Sequence, residues 1–268
     1  MTDLILALDQ GTTSSRSILF TEKAEIRAVA SEPLECRFPD SGWVEQDPEA
    51  IWETQRSTIV KVLDQAGIGL SEVSAIGITN QRESTIAWNR ETGEALCPAI
   101  NWQCRRTAGF CDELKEEGFD ELIRNRTGLV TDPYFSGTKM HWILQNVPEA
   151  ANLARQGKLC FGTVDSWLIW KLSGGKTHAI EISNASRTLV FDIQKCEWDS
   201  EILSRFGIPP ESLPEVVPSS GVIAEVDESL FGGSAPIAGA AGDQQAALFG
   251  QACFSPGMAK NTYGTGCF

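Results

Sequence analysis

The sequence predicts an α/β domain built on a mixed sheet with flanking helices. Three observations carry this. Leu4 to Leu8 is an apolar run bounded by polar turn residues, which reads as a strand buried on both faces. Val73 to Thr79 repeats that pattern after a stretch of helical periodicity. Ile237 to Ala241 is a strand of small residues leading into a further helix. Strands separated by helices call for parallel pairing in the middle of a sheet.

The first strand runs into Asp9-Gln10-Gly11-Thr12-Thr13-Ser14 and returns as Arg16 to Phe20. Gly11 can adopt positive φ without cost, so a tight hairpin is expected there. Such a turn gathers backbone N–H groups and hydroxyls into one concavity, which can cradle phosphate without lysine. Asp9, at the strand end, is placed to hold a hydrated Mg²⁺, an ion that keeps few carboxylates and several waters. On these residues alone an ordinary Asp-x-Gly hairpin fits as well.

Further along, Ile26 to Ser31 reads as a third, antiparallel strand. Asp47-Pro48 is a helix start, with Asp47 as N-cap and Pro48 in the first turn. Ile51, Ile59, Val62, Leu63 and Ala66 then share one face until Gly67, and Trp52 beside them reads as core. The strand from Val73 ends in Asn80-Gln81-Arg82-Glu83-Ser84, five polar residues where open α/β sheets bind ligands; a surface Arg–Glu pair is the alternative. Thr85–Asn89 and Ala95–Ile100 read as a hairpin around Glu91-Thr92-Gly93. A helix is expected from Asn101-Trp102 to about Gly118, and Trp102 reads as core or as a flat ligand wall.

Thr127 to Gly137 carries Tyr134 and Phe135 among turn formers, as a binding loop does. Short helices are expected over 139–145 and 148–156, a strand over 159–162, a helix over 164–172 and a strand over 188–192. Residues 198–220 form a peripheral elaboration. Near the end, Gly242-Asp243-Gln244-Gln245 opens a helix, so Asp243 lies where the helix dipole favours an ionised carboxylate, either as a general base or as a plain N-cap. Met258–Tyr263 reads as a strand and Gly264-Thr265-Gly266 as a turn echoing the first.

Composition narrows the function classes. The 268 residues carry a formal net charge of −14, which argues against nucleic acid and against an anionic membrane as partners. Eight cysteines without a C-x-x-C pair, and two histidines, point to scattered thiols in a reducing cytoplasm and away from a zinc site. Leu4–Leu8 is too short for a signal-peptide core, and no run approaches membrane-spanning length. A cytoplasmic protein is expected.

Eight ordered blocks then resemble the FGGY carbohydrate kinases, on the branch that acts on glycerol: DQGTTSSR (9–16), GITNQRE (77–83), WQCRRT (102–107), DPYFSGTK (132–139), GTVDSWLIWKL (162–172), NASRT (184–188), AGDQQAALFGQ (241–251) and KNTYGTGCF (260–268). The resemblance covers essentially the whole chain. It implies the ribonuclease H-like fold of the actin, sugar-kinase and chaperone-ATPase superfamily, with ATP and Mg²⁺ as cofactors and glycerol as acceptor. It implies that Thr12, Thr13 and Ser14 contact ATP phosphates, with Arg16 near the transferred group, Asp9 at Mg²⁺, and Thr265 in a second phosphate loop. It places Arg82, Glu83, Tyr134, Asp243 and Gln244 on the polyol hydroxyls, Trp102 and Phe268 against its carbons, and Asp243 as the base. Residues 1–250 are expected to form an N-terminal domain and 251–268 the start of a second, truncated one, nearly inactive alone; the longer protein is expected to be a homo-oligomer. Phe231-Gly232-Gly233-Ser234 is short and lacks the arginine of an allosteric sugar-phosphate loop, which puts such regulation in doubt. A ketopentose or other polyol kinase, and a non-kinase switch of the actin or chaperone type, are the alternatives.

Overall fold

A computed structural model describes residues 3–263 and 266–268. Strands Leu4–Gln10 (β1), Ser14–Thr21 (β2) and Ile26–Pro33 (β3) form an antiparallel meander, the three-strand start expected from the sequence. On its other side β1 pairs in parallel with Ala75–Asn80, which pairs in parallel with Pro236–Gly242, and Ser220–Glu225 closes the edge antiparallel. The result is a mixed sheet of six strands. Register matters most here: Gln10 lies opposite Asn80, and Asn80 opposite Gly242. Three parallel strands thus end level, and the segments leaving them emerge at one rim.

Helix α1, Pro48–Ala66, begins as the sequence predicts: Asp47 accepts from the Glu49 N–H, and Gly67 ends the helix at φ +66°. Ile51, Ile59 and Val62 are fully buried against β1–β3, and Trp52 is core. Across this seam the Ser15 and Ser17 hydroxyls meet those of Thr54 and Thr58, each at 2.8 Å, so the polar groups of a buried strand face are satisfied by one helix. A second core, including Ile100, Ile123, Met140, Phe161 and Phe206, supports the segments between residues 85 and 215.

Several local expectations give way to tertiary pairing. The Gly11 turn closes through Gly11 N–H to the Ser14 carbonyl at 2.9 Å, but Gly11 is not among the positive-φ glycines. A Cβ there would sit 3.2 Å from the Ser14 oxygen, so glycine serves close approach and not handedness. Ile86–Asn89 pairs chiefly with Leu159–Gly162, while Ala99–Ile100 joins Glu45–Gln46, so the predicted local hairpin survives only as a few backbone bonds. The helix after Trp102 spans Ala108–Glu116, since residues 101–107 form turns around the site. The strand expected over 188–192 shrinks to Phe191–Asp192, and Met258–Tyr263 forms no strand beyond a Tyr263–Cys267 bridge.

Trp88, Trp167, Trp170 and His178 form an aromatic knot, with Trp88 centred 5.3 Å from Trp167 and 5.1 Å from His178. His178 Nε2 donates to the Phe161 carbonyl at 2.8 Å. Burial pushes its pKa down to about 4. The unfolded chain therefore takes up a proton near pH 6.5 that the native state refuses, and stability falls as pH drops from 6.5 toward 4. Between pH 7 and 4.5 the protein is expected to lose about 2–3 kcal/mol more than a His178→Gln variant, which keeps a donor but does not titrate. Urea titrations of both proteins at the two pH values would measure this; parallel losses would contradict it.

Candidate active site

The level ends of the three parallel strands supply the site. From β1 come Gly11–Ser14, from Ala75–Asn80 come Gln81–Glu83, and from Pro236–Gly242 comes the helix Asp243–Gly250. Of these, Thr12, Gln81–Glu83, Asp243 and Gln244, together with Trp102, Tyr134, Thr262, Gly266 and Phe268, line a cavity of about 130 Å³. Thr12, Arg82, Glu83, Trp102, Tyr134, Asp243, Gln244 and Phe268, singled out from the sequence, thus come together in one place. Asp9, Thr13, Ser14 and Arg16 lie outside that lining, on the adjoining turn and strand ends. Thr265 lies outside the described residues.

Each polar wall is tied down. Arg82, nearly buried, places Nε 3.1 Å from Asp243 Oδ1. Gly242 makes room for it, because a Cβ there would lie 2.5 Å from Arg82 Cδ. The same Oδ1 accepts the Gln244 N–H at 2.7 Å, whereas Oδ2 accepts no hydrogen bond from the described residues. Glu83 is 1% exposed and meets Arg187 Nε at 2.7 Å. Trp102 donates from Nε1 to the Thr12 hydroxyl at 2.9 Å and stands edge-on to both Tyr134 and Phe268. Burial first, and then the Glu83 charge, push the Tyr134 hydroxyl up to about 12, so it stays a donor. Asp9 pairs with Arg16 at 3.8 Å; burial raises its carboxyl above the ordinary range, Arg16 opposes this, and Asp243 adds to it.

Beneath the pocket lies a buried amide cluster. The two hydrogens of Gln81 Nε2 are shared among three acceptors at 3.0–3.1 Å, Gln10 Oε1, the Gly11 carbonyl and Gln46 Oε1, and Asn101 donates to Gln46 and Gln81. Gln46 in turn donates to the Thr12 carbonyl at 2.8 Å. Sequence reasoning missed Arg187, Lys139 and Gln46. Arg187 and Lys139 sit in NASRT and DPYFSGTK, which were informative only as blocks; nothing local says that their side chains reach Glu83 from 104 and 56 residues away.

The comparisons with known proteins bear on this geometry. The profile of the FGGY family of carbohydrate kinases, N-terminal domain, matches residues 4–250. The chain belongs to this family. Among its relatives, the glycerol kinase of Carboxydothermus hydrogenoformans is 57% identical over 265 residues, covering 98% of this chain and 53% of that protein. The glycerol kinase of Koribacter versatilis is 58% identical, with coverage of 98% and 53%. The crystal structure of Plasmodium falciparum glycerol kinase with ADP superposes with a TM-score of 0.92 at 34% identity, over 99% of this chain and 53% of that one. The fold is therefore the actin-like, ribonuclease H-like fold of the sugar kinases, as the FGGY resemblance implies. The chain spans about half the length of the curated relatives it matches.

The Glu83–Arg187 pair generates a stability test. Removing the cation strands a buried carboxylate, so Arg187→Met is expected to cost about 3 kcal/mol or more. Adding Glu83→Gln should restore part of that loss, since no charge is left buried. Denaturant unfolding of both single variants and the double variant would give the coupling; a loss below about 0.5 kcal/mol in the single variant, the level of a surface pair, would show that the pair is not structural.

Proposed function

We propose that this chain carries the acceptor and phosphate sites of an ATP-dependent glycerol kinase, whose product is sn-glycerol 3-phosphate. The observation that carries the reading is the small pocket in which Arg82, Glu83, Tyr134, Asp243 and Gln244 face one another under Trp102 and Phe268. Polar groups on several sides suit a molecule with a hydroxyl on each carbon, and two aromatic walls suit its short carbon chain. The narrowing by Trp102 and Phe268 favours glycerol over a ketopentose. The polyol pocket itself favours a kinase over a nucleotide-driven switch, which would not need one.

Asp243 serves as general base in this reading. Its Oδ1 is engaged by Arg82 and Gln244, which leaves Oδ2 for the proton of a terminal hydroxyl. That hydroxyl oxygen then attacks the γ-phosphorus in line as the bond to the bridging oxygen breaks and ADP leaves, and Arg82, Glu83 and Tyr134 fix which hydroxyl is presented. Thr12, Thr13, Ser14 and the amides of their turn hold phosphate oxygens, with Arg16 beside the transferred group. Asp9 fits a site for Mg²⁺: it stands at the end of β1 beside the Gly11 turn with its side chain 40% exposed, and its loose 3.8 Å contact with Arg16 leaves the carboxylate open to a hydrated divalent cation. When bound, Mg²⁺ would neutralise charge on the phosphoryl group, since this chemistry is mostly positioning and electrostatics.

Trp102 makes binding visible without turnover. Titrating the chain with glycerol is expected to give a saturable change in tryptophan fluorescence that Arg82→Ala weakens; no saturable signal at millimolar glycerol would overturn the reading. In assays of ATP-dependent glycerol phosphorylation by the longer protein that carries this chain, Asp243→Asn is expected to lower kcat by about 10²–10⁴ while glycerol affinity shifts only a few-fold. If Asp243 were only the first residue of a helix, asparagine would serve nearly as well and kcat would hardly change.

A further inference from the structure

Glu83 has a φ of +63°, a left-handed conformation that a non-glycine residue holds only when its surroundings impose it. Glycine would relax the backbone there but would remove the carboxylate that meets Arg187. What imposes the conformation is visible around the Glu83 carbonyl oxygen. It accepts from Lys139 Nζ at 2.9 Å, from Ser136 Oγ at 3.0 Å and from Thr85 Oγ1 at 3.2 Å. Behind it, the Ser84 N–H closes back onto the Arg82 carbonyl at 2.7 Å.

Lys139 is fully buried, an unusual place for an amine. Its Nζ makes a second bond, to the Tyr134 carbonyl at 2.6 Å. Glu83 and Tyr134 come from a strand end and from a loop 51 positions later, and this one side chain ties their backbones together. Two carbonyls need two N–H groups. An ammonium has three and a neutral amine two, so both bonds persist in either protonation state.

We propose that Lys139 is a positioning residue of the polyol site, acting through the backbones of Glu83 and Tyr134 and touching no substrate itself. The proposal rests on the reading of the pocket as the glycerol site. An apolar side chain of similar length would leave two buried carbonyls one donor short and free the strained turn to relax. The Glu83 and Tyr134 side chains would then lose their fixed spacing across the pocket.

The test compares Lys139→Met with the unaltered chain by two readouts. Amide hydrogen exchange without ligand is expected to quicken at Ser84 and Tyr134 while staying unchanged at Ile78 in the central strand. Glycerol, titrated by tryptophan fluorescence, is expected to bind about 10–100-fold more weakly. A merely structural role would instead raise exchange throughout the sheet. Unchanged exchange at Ser84 and Tyr134 would overturn the proposal, and so would unchanged glycerol affinity in a chain that binds glycerol. If the unaltered chain gives no glycerol response, the functional reading fails, and the exchange arm still decides the role of Lys139. Should Lys139→Met not fold, Ser136→Ala removes the neighbouring donor to the same carbonyl. It is expected to quicken exchange at Ser84 and weaken glycerol by about threefold; no change in either would overturn the proposal.

Discussion

The site depends on a buried set of amide side chains that have no titratable group among them. Gln10, Gln46, Gln81 and Asn101 are almost entirely removed from water. Each buried amide would cost free energy if left unpaired, so the set holds only if every member finds a partner. The partners are one another, the carbonyls of Gly11 and Thr12, the Ser84 hydroxyl and the Gln103 N–H. A shift of the Gly11–Ser14 turn relative to Gln81 would therefore break several bonds at once. This links the turn read as a phosphate cradle to the residues that line the pocket, without either segment being rigid by itself.

The register of the sheet makes that linkage possible. Gln10, Asn80 and Gly242 are level, so three chain segments far apart in sequence leave the sheet at one rim. Asn80 and Asn184 bond to each other below the rim, and the Gly242 N–H bonds to the Ser183 hydroxyl. Residues 181–187 thus brace the last two strands from outside the sheet and deliver Arg187 to Glu83. A one-residue slip of any of the three strands would turn its rim residues to the opposite face.

What the sequence made legible follows from how local each cause is. The Asp47 cap, the Gly67 stop and the apolar stripe between them act within one helix, and α1 matches its expectation residue for residue. The strands at Leu4 and near Ile76 are likewise visible as apolar runs, but their burial alternates, with Ile5 44% exposed, where the run at Leu4 was expected to be buried on both faces. The failures lie where pairing is remote. Ile86–Asn89 found its main partner about 70 positions away, and residues 101–107 became turns because Asn101 and Trp102 bond into the site. For the site, the facing residues were legible at strand ends and through the FGGY blocks. Lys139 and Arg187 were not, because a side chain that acts on the backbone or charge of a distant residue leaves no local pattern.

The chain carries −14, yet each arginine near the pocket is already matched to a carboxylate: Arg16 to Asp9, Arg82 to Asp243, Arg187 to Glu83. These pairs neutralise the arginines, and the cation they leave at the rim is Lys260, whose Nζ donates to Gln244 Oε1 and to the Thr262 hydroxyl. On the proposed reading, attraction comes from Lys260, from amides and hydroxyls at contact distance and from the cation that accompanies the nucleotide. Repulsion from the remaining surface carboxylates is screened beyond about 8 Å at physiological ionic strength. The acidic surface therefore acts only at short range, and on the proposed reading the geometry of the rim sets what it binds.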